Sequence, residues 1–240
     1  MLTQTREVIG VFAEKIKRTP AVESFRFKTK KAIDFLPGQF LEIIFDKNNR
    51  GNRALNKYLS FSSAPGKEYI EVTKKISGSK FSRSLIALKP GDETLFKASL
   101  GNCIFKDEYK KIGFLIGGIG ITPVISILEH ITDKKLATDV CLLYSNRAET
   151  EIAFKLEIDT WSKNNRNIKV LYTVSDGEPR DKNKFSGQIN KEFFSAPECD
   201  IRERIFFIFG PPAMVNTMQN ICLEVGCNEK MIKKEKFLGY

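Results

Sequence analysis

Gly117-Gly118-Ile119-Gly120-Ile121-Thr122-Pro123 decides the fold of this chain. The run before it, Ile112–Ile116, is short and apolar, the pattern of a buried strand. Val124–Ile131 after it carries an apolar helical rhythm. Strand, glycine turn, helix start is the layout that brings a pyrophosphate onto free backbone N–H groups. The glycines permit a tight turn and a close backbone approach. Thr122 is placed to cap the helix, and Pro123 to open it, where a missing N–H has no helical partner to lose.

Outward from this turn, strands and helices alternate. Strands are expected at Ile112–Ile116, Asp139–Tyr144, Ile168–Thr173 and Arg204–Phe209, and helices at Pro123–Ile131, Glu151–Asn164, Lys191–Phe194 and Ala213–Val225. That alternation implies a parallel sheet covered on both faces, an α/β Rossmann-like domain. The residues up to about Phe105 have a different rhythm. Val8–Lys17, Glu23–Lys28, Phe40–Phe45 and Tyr69–Lys74 alternate apolar and polar side chains, and Pro37-Gly38 and Lys89-Pro90-Gly91-Asp92 mark turns. Many short strands with such turns imply an antiparallel β-barrel, with Phe81–Leu88 as its one helix. The expected domains are residues 1–106 and 107–240, joined where the rhythm changes.

With 240 residues, 42% of them hydrophobic, the chain can build two real cores. No apolar stretch reaches the roughly 18–20 residues of a membrane helix, and Met-Leu-Thr-Gln-Thr-Arg-Glu lacks the plan of a signal peptide, so a cytoplasmic protein without membrane insertion is expected. The formal charge of +10 comes from lysines and arginines spread along the chain, with no basic arm that would mark nucleic-acid binding. Such a surface suits anionic cofactors or an acidic protein partner. The five cysteines are odd in number and lack C-x-x-C spacing, so ordinary thiols are expected, with no metal and no iron–sulfur cluster held by this chain. His130 is expected on a helix surface near a C-terminus; one histidine without G-x-S-x-G excludes triad hydrolysis.

Four further segments carry chemistry. In Lys57-Tyr58-Leu59-Ser60-Phe61-Ser62-Ser63-Ala64-Pro65, alternation puts Lys57, Leu59 and Phe61 on one face and Tyr58, Ser60 and Ser62 on the other, a cation, aromatics and hydroxyls at a strand end. Gly78-Ser79-Lys80-Phe81-Ser82-Arg83 opens a helix and offers backbone N–H groups to an anion. Gly210-Pro211-Pro212 follows a strand and opens another helix, on the carboxyl edge where open α/β sheets bind ligands. Ser145-Asn146-Arg147 follows the second strand of that sheet; without an acid there to hold ribose hydroxyls, Arg147 suits a 2′-phosphate.

Together these segments resemble the ferredoxin–NADP reductase superfamily, over essentially the full length and in the family's motif order. Pro37-Gly38-Gln39-Phe40 resembles its early barrel segment, Lys57–Pro65 its R-x-Y-S flavin motif, Gly78–Leu85 its flavin pyrophosphate turn, and Gly117–Pro123 its G-G-x-G-x-T-P. Gly210-Pro211-Pro212 resembles its C-G-P-P loop, and the ending Glu235-Lys236-Phe237-Leu238-Gly239-Tyr240 its E-x-F-x-G-Y tail.

The resemblance implies a flavoprotein that moves hydride from NAD(P)H to FAD, or FMN, and electrons on to a separate acidic carrier such as ferredoxin or flavodoxin. It implies Ser60 as the catalytic residue near flavin N5, and Lys57 at the flavin phosphate, with Tyr58, Leu59, Phe61 and Ser62 around the cofactor. It implies backbone N–H groups of Phe81, Ser82 and Arg83, after Gly78, at the pyrophosphate. Gly117, Gly118, Gly120, Ile121, Thr122 and Pro123 would hold the nicotinamide dinucleotide with Ser145 and Arg147. Gly210, Pro211 and Pro212, with Phe237 and Tyr240, would place the nicotinamide ring. Three positions depart from the family: Lys57 replaces Arg, Leu59 replaces an aromatic, and Phe209 replaces the cysteine before Gly-Pro. They motivate two alternatives, a reductase of free flavin and a reductase-like electron-transfer or regulatory subunit of a larger complex.

Overall fold

The computed structural model describes residues 6–176, 184–195 and 203–237. The chain divides into two compact units, Met1–Phe105 with Thr122–His130, and Lys106–Ile121 with Ile131–Tyr240.

The first unit is the expected antiparallel barrel. Its strands are β1 (Arg6–Thr19), β2 (Val22–Thr29), β3 (Phe40–Ile44), β4 (Asn56–Ser60), β5 (Ile70–Lys75) and, after helix α1 (Lys80–Ala87), β6 (Glu93–Leu100). They lie in the order β4-β3-β6-β1-β2-β5 with every pairing antiparallel. The chain just past β4 then crosses to β5: Phe61 bridges Val72, and the Ser62 N–H donates to the Glu71 carbonyl at 2.7 Å. That bridge joins the two outer strands and curls the sheet closed. Aromatic rings fill the interior. Phe27 meets Phe96 edge-to-face at 4.9 Å, and Phe35 stacks on Phe61 at 3.8 Å. Such pairs add roughly 0.5–1.5 kcal/mol each beyond their burial.

The second unit holds β7 (Lys111–Gly117), β8 (Asp139–Asn146), β9 (Ile168–Val174), β10 (Lys184–Ser186), β11 (Ile205–Gly210) and β12 (Ile232–Lys236). Helix α2 (Thr122–Asp133) follows β7, α3 (Lys155–Asn164) follows β8, and α4 (Pro212–Glu224) follows β11. The sheet is parallel throughout, in the order β10-β9-β8-β7-β11-β12. Chain progression runs outward from β7 to β8 and β9, then returns to the other side of β7 with β11. The switch point therefore lies between β7 and β11, where doubly wound sheets bind ligands. Ile112, Phe114, Leu115 and Ile116 are fully buried, as strands covered on both faces require.

Several expectations change. The edge strands β10 and β12 were not expected: β12 reads Ile-Lys-Lys-Glu-Lys, and only its pairing to β11 makes it a strand. Helix α3 starts at Lys155, not Glu151, because Glu149–Glu151 forms a separate 3-10 turn and Phe154 takes a left-handed φ of 59°. Lys191–Ser195 is 3-10 as well. His130 is buried against the Phe105 ring rather than on a helix surface, because α2 is packed on nearly every side and not only on its apolar face. Cys141, expected as a plain thiol, is disulfide-bonded; Cys103, Cys222 and Cys227 form no disulfide.

The β7–α2 turn touches the end of β11. A Cβ on Gly120 would stand 2.3 Å from the Phe209 carbonyl oxygen, and one on Gly117 2.7 Å from Met214 Sδ. Gly118 takes a φ of +51° with open space around it. The two constraints predict different costs. Gly118→Ala should lose about 1 kcal/mol of stability through backbone strain. Gly120→Ala should lose about 3 kcal/mol, because its clash is with backbone that cannot rotate away. Urea denaturation of both variants checks the order; equal losses would mean the close approach is absent.

Candidate functional site

In the barrel unit, the Lys57–Pro65 segment is β4 and the crossing to β5. Alternation separates its side chains as expected. Tyr58 is half exposed on the outer face, edge-to-face with Phe40 at 5.6 Å and 5.1 Å beneath the Arg53 guanidinium. Leu59 is partly buried against the barrel core. Ser60 ends β4, and its hydroxyl makes no hydrogen bond among the described residues. Two side chains of the segment turn into the fold. Phe61 is fully buried and stacked on Phe35, so its ring belongs to the core and is closed to any cofactor. Ser62 is spent inside the fold, its hydroxyl 2.7 Å from Thr73 Oγ1 and 3.3 Å from Glu71 Oε1.

Glu71 is the anchor of that arrangement. Its buried carboxylate accepts both oxygens' worth of donors from Arg18 Nη2, at 3.0 and 3.1 Å, and a bond from Arg26 Nε at 2.8 Å. The Ser63 hydroxyl accepts the Glu71 N–H at 3.0 Å. On the far side of the loop, Glu129 accepts the Ala64 N–H at 2.6 Å and pairs with Lys67 at 3.2 Å. A buried charge with complete partners rigidifies its neighbours, so the chain after Ser60 is held at both ends.

Lys57 has a companion that sequence reasoning missed. Lys74 is buried at the end of β5, and its ammonium is held below its ordinary pKa first by burial and then by the neighbouring Lys57 charge. Neither lysine forms an ion pair among the described residues. Two cations side by side, one of them buried, fit a phosphate. The signal was present in the alternation of Ile70, Val72 and Lys74 along β5, which sends Lys74 to the barrel side.

Helix α1 opens as expected but spends part of its cap. The Ser79 hydroxyl accepts the Ser82 N–H at 3.2 Å, and the Ser79 carbonyl accepts the Arg83 N–H at 3.0 Å. Of the three N–H groups expected at a pyrophosphate, only that of Phe81 is left without such a bond, together with that of Lys80. The Phe81 ring itself lies in the core, and the Arg83 guanidinium turns back to the Gly78 carbonyl.

In the sheet unit, Gly118–Ile121 forms a 3-10 turn that runs directly into α2, so Thr122 is helical and not a flanking cap. Ile121, Thr122 and Pro123 are buried beneath the turn; Gly117, Gly118 and Ile119 form its open part. Gly210 and Pro211 emerge beside Gly117, with Met214 packed between, and the Phe237 N–H donates to the Gly210 carbonyl at 2.9 Å. Tyr240 lies outside the described residues.

Ser145 is the last residue but one of β8, and Arg147 just beyond the strand is exposed. An acid stands beside it. Asp176, from the end of β9, accepts from Arg147 Nη2 at 3.1 Å and Nε at 3.2 Å, and its N–H donates to the Arg147 carbonyl at 2.8 Å. The pair is 29 residues apart in sequence and adjacent only through the β8–β9 ladder.

Glu235 stands across the ladder from Phe209, next to this edge. Its Oε2 is buried without a hydrogen-bond partner, and burial pushes its carboxyl up to about 7. A folded-state pKa above the unfolded value of 4.5 favours folding at low pH, and that advantage is lost as pH rises through about 7. Glu235→Gln should therefore match the wild type at low pH and be more stable at pH 8 by roughly 2–3 kcal/mol. Denaturant titrations at pH 4.5 and pH 8 test this; a pH-independent difference would refute it.

Comparison with known proteins agrees with this geometry. Residues 11–105 match the Oxidoreductase FAD-binding domain, and residues 114–220 match the Oxidoreductase NAD-binding domain. NADH-cytochrome b5 reductase 2 of Debaryomyces hansenii is 32% identical over 174 residues, 70% of this chain and 58% of that protein. The plasma membrane-associated coenzyme Q6 reductase PGA3 of Saccharomyces cerevisiae is 30% identical over 220 residues, 88% of this chain and 68% of that protein. The chain spans between 51% and 60% of the length of the first three b5 reductases it matches. In fold, the cytochrome b5 reductase domain of Ulva prolifera nitrate reductase superposes with a TM-score of 0.82 at 22% identity, covering 97% of each chain. No described helix is long and apolar enough to cross a membrane. With both cofactor domains matched in order and the barrel and parallel sheet observed, the chain belongs to the ferredoxin–NADP reductase superfamily.

Proposed function

We propose that this chain takes hydride from NADH onto bound FAD and passes electrons to a separate one-electron acceptor. The observation that carries this reading is the meeting of Gly117–Gly120 with Phe209–Gly210 at the β7/β11 switch point, in a chain whose other half is an FAD-binding domain. A bound flavin supplies the exchange between two-electron and one-electron chemistry; the protein supplies position. Lys57 and Lys74 would face its phosphates, with the N–H groups of Lys80 and Phe81. The unbonded Ser60 hydroxyl would donate at the hydride-accepting edge, its position fixed through the Glu71 and Glu129 anchors. Gly117, Gly118 and Ile119 would cradle the dinucleotide pyrophosphate, and Gly210–Pro212 with Phe237 would set the nicotinamide ring.

The preference for NADH rests on Asp176. Its carboxylate occupies the guanidinium that a 2′-phosphate would need and would repel that phosphate. Relatives named as NADH-dependent support the same direction. NADPH, which Arg147 alone favours, becomes the poorer donor.

For the acceptor, the relatives' names favour a cytochrome b5-type haem protein over ferredoxin or flavodoxin. The +10 charge suits any such acidic partner. A second reading, reduction of free flavin, is favoured by Leu59, which leaves no aromatic ring at the position where the family packs one on the isoalloxazine.

Purified chain should stay yellow through dialysis and bleach when NADH is added anaerobically. Turnover with cytochrome b5 should fall as salt rises, because steering is screened. Loss of colour on dialysis with turnover of added flavin selects the second reading. No turnover of any acceptor leaves only the subunit alternative. Salt-independent turnover with a quinone would replace the haem protein. Asp176→Ala should raise kcat/KM for NADPH about tenfold and leave NADH within about threefold, the size of one charge-assisted contact. Equal changes for both donors would remove Arg147 and Asp176 from the dinucleotide site.

A further inference from the structure

Helix α4 ends in a turn that pairs two cysteines. The Gly226 N–H donates to the Leu223 carbonyl at 3.0 Å, and the Cys227 N–H to the Cys222 carbonyl at 2.9 Å. Gly226 takes a φ of +90°, the left-handed residue this ending requires. In such a Schellman ending, the third residue from the helix end and the second beyond it bring their side chains together, ordinarily as an apolar contact. Here both positions are cysteine, and both are free thiols. Cys222 is fully buried in the cluster that includes Val215 and Met218, whereas Cys227 is partly exposed at its edge.

The two thiols perturb each other and are not equivalent. The contact with Cys227 pushes the Cys222 thiol up, and the contact with Cys222 holds Cys227 below the ordinary thiol value. A helix C-terminus by itself disfavours a thiolate, so the neighbouring S–H is what singles out Cys227. The exposed member is thus the nucleophile and the buried member is poised behind it.

We propose that Cys222 and Cys227 form a reversible disulfide site, oxidised by hydrogen peroxide or a small alkyl peroxide. The Cys227 thiolate attacks a peroxide oxygen; an S–O bond forms, the O–O bond breaks, and the departing hydroxide leaves as water after taking a proton. The Cys222 sulfur, giving up its proton, then attacks Cys227 Sγ; the S–S bond forms, the S–O bond breaks, and a second water leaves. Two thiols lose two electrons in all, and one hydrogen peroxide becomes two waters. A dithiol reverses the bond by exchange. The site stands independently of the flavin reading. Its bond would staple the end of α4 to the segment that leads into β12, the strand carrying Glu235.

Trypsin isolates the pair. The peptide Ile205–Lys230 holds Cys222 and Cys227 and no other cysteine. The full chain is reduced, desalted, treated with hydrogen peroxide, alkylated in denaturant and digested. The peptide should be two hydrogens lighter and carry no alkyl group, and dithiothreitol before alkylation should restore both alkylation sites. Cross-linking should run at least about tenfold faster in the folded chain than in urea, since the cap holds the sulfurs together. In Cys227→Ser, Cys222 should keep its alkylation site through the same treatment. Two alkyl groups on the wild-type peptide after peroxide would overturn the proposal. So would a sulfinic acid at Cys227 beside a free Cys222, or equal rates in urea.

Discussion

The backbone contact between Gly120 and Phe209 is the constraint on which the carboxyl edge of the parallel sheet depends. With a Cβ excluded by a carbonyl oxygen 2.3 Å from its ideal position, the turn after β7 lies directly on the last residues of β11. Parallel pairing of Phe207 with Phe114 and of Phe209 with Ile116 sets the two strand ends level. Two loops distant in sequence become one rim, and the Phe237 backbone adds a third segment through Gly210. At the opposite, amino edge, buried Arg204 donates to the Ile112 carbonyl at 2.7 Å and to Asp139 Oδ1 at 3.0 Å. The sheet is therefore clamped at the end away from its glycine loops.

The barrel unit uses charge where the sheet unit uses close backbone approach. Glu71 gathers Arg18 and Arg26 across three strands and holds Ser62 and Ser63 from within. A fully partnered buried carboxylate contributes less to net stability than to uniqueness of geometry. The geometry it specifies is that of the segment just after Ser60. Glu129 reaches the same segment from α2, and Phe61 within it forms the closing bridge to Val72. Ser60 stands at the last position before this pinned stretch, so its hydroxyl is aimed by its neighbours' bonds and not by one of its own.

Legibility from the sequence followed the range of each interaction. The glycine turn, the parallel core strands and the barrel strands β1, β2, β3 and β5 rest on local periodicity, and they were read correctly because buried strands must be apolar at the positions the sheet covers; β6 was not singled out. Helix α3 was placed four residues early because a 3-10 turn and a left-handed phenylalanine interrupt an otherwise helical pattern. Strand β12 was missed because an edge strand of lysines and glutamate has no apolar rhythm. Phe61 and Ser62 sat inside a motif resembling a cofactor loop, yet barrel closure turns both inward. Ile121 and Thr122 were likewise drawn beneath the turn they belong to.

By itself, the sequence determined the fold class, the order of the two cofactor domains and the turns that present backbone N–H groups, because each is written in spacing along the chain. Only the tertiary structure decided which charged side chains meet. Lys74 came to Lys57 through the curling of a sheet, Asp176 came to Arg147 through a parallel ladder, and Glu235 was desolvated by the strand beside it. Charge pairing and desolvation depend on distances through space, and no periodicity in a chain encodes a partner that lies one strand away.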